Sequence, residues 1–171
     1  MNHNTPKFQE EYSAKLPALA LLANLGWQFL PPKQALAARD GKADQVVLRG
    51  LLRQALQKRT YSVAGKTCSL SDKAIDNLIA EVCSPPLNEG LQAANERLYN
   101  HLLYGISVTE FVDGKKSNPT IALIDWHNPA NNSFVFAEEF SITRSGGVEN
   151  RRPDIVCFVN GIPLVVIEAK R

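Results

Sequence analysis

Three charged side chains interrupt an otherwise apolar stretch near the end of the chain, Asp154-Ile155-Val156-Cys157-Phe158-Val159-Asn160-Gly161-Ile162-Pro163-Leu164-Val165-Val166-Ile167-Glu168-Ala169-Lys170. Burying Asp, Glu and Lys beside Val and Ile is costly unless the charges pair or hold a metal ion. Two hard carboxylates suit Mg²⁺, whose charge offsets their mutual repulsion, polarises a phosphate and lowers the pKa of an attacking water. A lysine beside them orients that water and stabilises charge in the transition state. The residue types therefore point to metal-dependent hydrolysis of a phosphodiester, with Asp154, Glu168 and Lys170 catalytic and Asp154 and Glu168 as metal ligands. On spacing alone, Asp followed by thirteen residues and Glu-x-Lys also describes the solvated end of a hairpin whose Glu168 and Lys170 form an ordinary ion pair.

Which description applies depends on the elements that position the three. Two β-branched runs around Asn160-Gly161 read as a hairpin, and alternation along a strand puts Glu168 and Lys170 on one face. A regular two-residue turn pairs Val159 with Ile162 and Asp154 with Ile167, which sends Asp154 to the face opposite Glu168. A three-residue turn with Gly161 left-handed pairs Asp154 with Val166 and leaves Glu168 a diagonal neighbour on the same face. The site thus requires the three-residue turn, or another bulge with the same effect.

Upstream, Phe8 to Leu25 has helical spacing and ends at Gly26, with a kink or split expected at Pro17; Pro31-Pro32 closes it. A helical stripe runs from Val46 to Leu56, Ser71 caps a helix through Val82 that Pro85-Pro86 ends, and another runs from about Asn88 to Leu103 before Gly105. Strands are expected at Ile106 to Val112, Thr120 to Asp125, Ser133 to Thr143, Asp154 to Val159 and Pro163 to Ala169. The fold class is α+β: a mainly helical part over 1–104, its first helix packing on the sheet, then a β-rich part over 105–171. The chain stops directly after its strongest strand, so it reads as a fragment of a longer polypeptide, inactive by itself.

With 171 residues, 44% hydrophobic and 21% charged, the composition is that of an ordinary globular domain rather than a disordered chain. No apolar run is long enough to span a bilayer and the N-terminus lacks a signal peptide's pattern, so no membrane partner and a cytoplasmic location are expected. Cys68, Cys83 and Cys157 show no ligand spacing and read as small buried hydrophobes. The net charge of +2 is uninformative, but its distribution is uneven. Residues 33–66 carry eight basic side chains against Asp40 and Asp44, a local +6, whereas residues 71–113 carry a local −5. The basic block is either a surface for DNA phosphates or a solvated helical face.

The segment RRPDIVCFVNGIPLVVIEAKR resembles the nuclease signature of the restriction subunit of type I restriction-modification enzymes, a branch of the PD-(D/E)xK nucleases. Ser13 to Leu19, Ala94-Asn95-Glu96-Arg97-Leu98-Tyr99, Leu123-Ile124-Asp125-Trp126 and Asn132-Ser133-Phe134 are similar to that family's upstream blocks. The resemblance implies the mixed sheet of a PD-(D/E)xK core and a Mg²⁺-dependent endonuclease cutting unmodified double-stranded DNA. In the whole subunit it implies an ATP-driven translocase motor, which these residues lack, and assembly with modification and specificity subunits that use S-adenosylmethionine. It also suggests an acidic metal ligand from the first helix, for which Glu10 and Glu11 are the available residues, although Lys15 and Pro17 occupy the nearer positions. Arg151 and Arg152, just before Asp154, are candidates for phosphate contacts. A different class of function, a catalytically silent DNA-binding or subunit-docking module with a nuclease fold, would be free to lose one of the three residues.

Gly65-Lys66-Thr67 is not a phosphate loop, since Thr60 stands where that motif needs glycine. His127 reads as a turn residue in an Asn/Pro loop, and Glu138-Glu139 as solvated or paired strand residues.

Overall fold

A computed structural model of the chain describes residues 14–84, 87–144, 147 and 149–169. Helix α1, Leu16–Asn24, is built from Leu and Ala, strong helix formers, and ends before Gly26 at φ +88°. Residues 8–13 of the expected helix lie outside the described residues. Pro17 lies in the first turn, where its missing N–H has no partner to lose. Strand β1, Gln28–Phe29, follows and was not foreseen, because two residues carry no periodicity. Pro32 then opens α2, Pro32–Ala37.

Helix α3, Arg49–Gln57, buries Leu52 and Leu56. Strands β2, Thr60–Val63, and β3, Lys66–Ser69, form an unforeseen hairpin whose turn, Ala64-Gly65, has both residues at positive φ. Helix α4, Asp72–Cys83, starts at the expected cap, with the Ser71 hydroxyl accepting from the Ala74 N–H at 3.2 Å. Helix α5, Leu91–Tyr104, stops at Gly105, φ +81°. Pro85 and Pro86 lie outside the described residues.

The β-rich remainder is more broken than the expected runs. Strands β4, Ile106–Ser107, β5, Glu110–Val112, β6, Lys115–Ser117, and β7, Thr120–Ile121, form nested antiparallel pairs, β5 with β6 inside β4 with β7. Next come β8, Phe134–Glu138, β9, Ile142–Thr143, β10, Asn150–Arg151, β11, Ile155–Val159, and β12, Ile162–Ile167.

The main sheet has the order β1-β8-β11-β12, with β1 parallel to β8 and the other pairs antiparallel, so it is mixed. Strand β11 is buried at every position, as a continuous apolar run between two covered faces should be. On one face Phe136, Ile155 and Cys157 pack with Ala18, Leu19 and Leu22 of α1 and with Trp27. On the other, Val135, Ala137, Val156 and Phe158 meet Ala35 of α2 and Leu48 and Leu51 at the start of α3. A further cluster joins Leu52 and Leu56 of α3, Ile75 and Leu78 of α4, Leu123 and Ile162. The chain is thus mixed α and β. Among the described residues no helix is long and apolar enough to cross a membrane. Cys157 is buried, while Cys68 and Cys83 are only partly so, against the expectation of three buried thiols.

Two ion pairs join the two charge blocks. Arg53 pairs with Asp76, and Lys66 Nζ lies 2.6 Å from Asp113 Oδ2. Arg39 is no surface cation at all: only 3% exposed, it donates to the carbonyls of Ala35, Gln45 and Ser141 and stands 4.1 Å over the Phe140 ring. Burial lowers its pKa, and the carbonyls and ring replace the water it gave up.

Candidate active site

The hairpin that carries the charged residues does not have the expected three-residue turn. Val159 pairs with Ile162 across Asn160-Gly161, both at positive φ (51° and 81°), a two-residue turn. The register then slips: Phe158 faces Pro163 but Cys157 faces Val165, so Leu164 is an extra residue on β12. Pro163 has no N–H for the ladder, and a bulge is one of the few places where a strand tolerates it. Beyond the bulge Ile155 pairs with Ile167. Carried one step further, that register sets Asp154 opposite Glu168, on one face rather than two. The two-residue turn alone would separate them; the bulged register, extended past Ile155 and Ile167, would not.

The turn end of the hairpin is tied down. Asn160 is fully buried. Its Nδ2 donates to the Leu123 carbonyl at 2.9 Å and to Asn132 Oδ1 at 2.8 Å, and its Oδ1 accepts from the Ser133 N–H at 2.9 Å. Asn132 Oδ1 also accepts from Arg59 Nη2 at 3.0 Å and from the Asp125 N–H at 2.9 Å. Asp125 in turn accepts from Asn131 and from the Asn128 N–H, which holds its carboxyl below the usual range. The Leu123 to Trp126, Asn132 to Phe134 and Asn160-Gly161 segments therefore converge here, roughly 20 Å of strand away from Asp154. Gly161 lies against α3: its carbonyl accepts from the Leu48 N–H at 2.8 Å.

At the opposite end, Asp154 is half-buried and its Oδ2 accepts from the Ala169 N–H at 2.8 Å, which ties the start of β11 to the residue after Glu168. Glu168 is exposed. Lys170, Glu10 and Glu11 lie outside the described residues. Arg151 is exposed on β10, where it pairs with Ile142. Arg152 Nη1 lies 3.3 Å from Glu139 Oε2.

Residue composition alone did not single out Lys15 as part of this end of the sheet. Its side chain is 11% exposed, and its ammonium is 3.0 Å from Glu139 Oε1 and 3.3 Å from Glu138 Oε2. Hydrogen bonding to Lys15, then the charges of Lys15 and Arg152, hold the Glu139 carboxyl below its ordinary range. Burial lowers the pKa of Lys15, but its bonds to Glu139 and Glu138 outweigh that and leave it raised. The hints in the sequence were the pair Glu138-Glu139 and a first helix, with Lys15 near its start, expected to pack on the sheet; the partner is 124 residues from Glu139.

Among the described residues no three His, Cys, Asp or Glu side chains converge on a common metal position. The hairpin end instead offers two carboxylates. That is a donor set Mg²⁺ accepts, since the ion commonly keeps several waters and takes one or two carboxylates together with substrate phosphate.

Residues 7–171 match the family described as type I restriction enzyme R protein N terminus. The chain is 32% identical over 158 residues to the type I restriction enzyme HindI endonuclease subunit of Haemophilus influenzae, an alignment covering 89% of the chain and 14% of that protein. It is 26% identical over 176 residues to the putative type I restriction enzyme MjaIXP endonuclease subunit of Methanocaldococcus jannaschii, covering 99% of the chain and 16% of that protein. A stretch of 71 residues is 42% identical to the putative MjaVIIP endonuclease subunit of the same organism, covering 42% of the chain and 6% of that protein. The chain therefore spans only a small part of the length of these relatives.

Proposed function

The chain belongs to the type I restriction enzyme R protein N-terminal family, and from that membership we propose that it is the endonuclease part of a restriction subunit, with Asp154, Glu168 and Lys170 as its catalytic residues. The observation that carries the reading is the bulge at Leu164, since the Ile155–Ile167 pairing beyond it, extended by one residue, would bring Asp154 and Glu168 to one face. Asp154 and Glu168 would hold Mg²⁺. When bound, the ion supplies Lewis-acid polarisation of the scissile phosphate and a lower pKa for the attacking water.

The chain's own residues do the rest. The Ala169 N–H fixes one oxygen of Asp154, so the carboxylate is oriented before any ligand arrives. Glu168, exposed, is accessible to DNA phosphate and water. Lys170 follows Glu168 by two residues and, in an extended chain, projects to the same side, where it orients the attacking water and offsets charge on the phosphorane. Arg151, exposed beside the site, and Arg152 contact backbone phosphates. The core is of the PD-(D/E)xK kind. In the whole cytoplasmic subunit, cutting of unmodified double-stranded DNA is coupled to ATP-driven translocation, in a complex with modification and specificity subunits that use S-adenosylmethionine.

The test is Mg²⁺-dependent cutting of plasmid DNA by the full-length subunit assembled with its partner subunits. Asp154→Ala, Glu168→Ala and Lys170→Ala should each lower the rate by about 10²-fold or more. If Asp154→Ala cuts as well as the unaltered protein, the assignment is wrong.

A further inference from the structure

Glu139 is held in an unusual way. It follows β8 directly, with φ +49°, a left-handed conformation that costs a non-glycine residue about 1–2 kcal/mol. Side-chain burial does not explain it, since the side chain is 45% exposed. Both of its carboxylate oxygens are engaged by cations from different parts of the chain: Oε1 by Lys15 at 3.0 Å, at the start of α1, and Oε2 by Arg152 at 3.3 Å, ahead of β11. Its backbone N–H donates to the carbonyl of Asp154 at 2.9 Å. The strained residue thus joins α1, the residue two before Asp154, and the main chain of Asp154 itself.

From this we infer that Lys15 and Glu139 are positioning residues for the reaction: the Lys15–Glu139–Arg152 clamp fixes the backbone that carries Asp154, and so sets how well its carboxylate meets a divalent cation. The inference rests on the assignment of Asp154 above. Lys15 suits the task because its side chain is mostly buried and its ammonium also reaches Glu138 at 3.3 Å, so one cation holds two neighbouring carboxylates. Arg152, more exposed, keeps its remaining guanidinium donors available for a phosphate. Neither Lys15 nor Glu139 touches the reacting atoms; both act through Asp154.

The experiment uses the full-length subunit in its complex. Lys15→Met and Glu139→Ala should each raise the Mg²⁺ concentration for half-maximal cutting by about 10-fold, the scale of losing a residue that orients a ligand, with the rate recovering at saturating Mg²⁺. The double variant should be no worse than either single one, because both remove the same clamp. Lys15→Arg should recover most of the shift. Independently of activity, hydrogen exchange should show lost protection of the Glu139 amide in Lys15→Met, with the amides of α3 and α4 unchanged. Where Lys15→Met fails to accumulate, Glu139→Gln, which keeps size and removes charge, is read the same way. An unshifted Mg²⁺ dependence, an equal loss at all Mg²⁺ concentrations, or an unchanged Glu139 amide overturns the clamp. Asp154→Ala in the same assay separates the two readings: inactive Asp154→Ala with unshifted Lys15→Met removes the clamp alone, whereas active Asp154→Ala removes both.

Discussion

Replacing Gly161 by alanine tests whether the hairpin is located by its turn. The residue sits at φ +81°, and a Cβ there would lie 2.5 Å from the Leu48 carbonyl oxygen, 2.9 Å from the Leu52 nitrogen and 3.1 Å from the Leu51 Cβ. The first two are backbone atoms at the start of α3, so no flexible side-chain tip can swing away. Left-handed strain contributes about 1–2 kcal/mol and forcing α3 off the turn about 1–3 kcal/mol, for a loss of about 2–5 kcal/mol. Gly114→Ala is the matched control: φ is +75° but nothing lies within 4 Å of the added carbon, so only the strain remains. Urea unfolding of both variants, followed by far-UV circular dichroism, gives the difference. Because domains of this size are stable by only about 5–15 kcal/mol, the Gly161 loss should be large in the transition. Losses that agree within about 0.5 kcal/mol would refute the argument, since the contact with α3 would then carry no energy beyond that of an open turn.

Two further outcomes follow from the same contacts. Arg39→Met should destabilise the chain by on the order of 3 kcal/mol, because the carbonyls of Gln45 and Ser141 lose donors 3.0 Å away in a buried setting; a urea-unfolding loss below about 1 kcal/mol would mean those carbonyls find other partners. The ion clamp should also impose a pH window. Glu139's folded pKa is depressed, so its contribution is present above the unfolded value of about 4.3 and is lost as pH falls through the folded pKa. Lys15's is raised, so its contribution is present below about pH 10.4 and is lost as pH rises through the folded pKa. The stability difference between the unaltered chain and Lys15→Met should therefore be flat between about pH 5 and 10 and shrink on acidification. The same difference at pH 3 as at pH 7 would contradict the pairing.

What the residues determined by themselves is whatever depends on nearest neighbours. Ser71 caps α4, Gly26 and Gly105 follow helix ends, and Asn160-Gly161 makes a two-residue turn because both accept positive φ. The helical segments and the strands of the hairpin were legible for that reason, as were the residue types that could hold a cation. Tertiary structure decided the rest, because it depends on partners distant in sequence. β1 exists as a strand only because β8 supplies its backbone partners, and the hairpin of β2 and β3 interrupts a region that composition marked as helical. Arg39 counted as a surface cation until the Ser141 carbonyl and the Phe140 ring enclosed it. The register of the hairpin shows the division most directly: the turn chemistry was local and favoured separation of Asp154 from Glu168, while one extra residue at Leu164, fitted beside a proline that cannot join the ladder, shifted the pairing so that Ile155 meets Ile167. The pairing of Lys15 with Glu139 was not legible in the sequence, since the packing of α1 on β8 and β11 carries it across 124 residues to that partner.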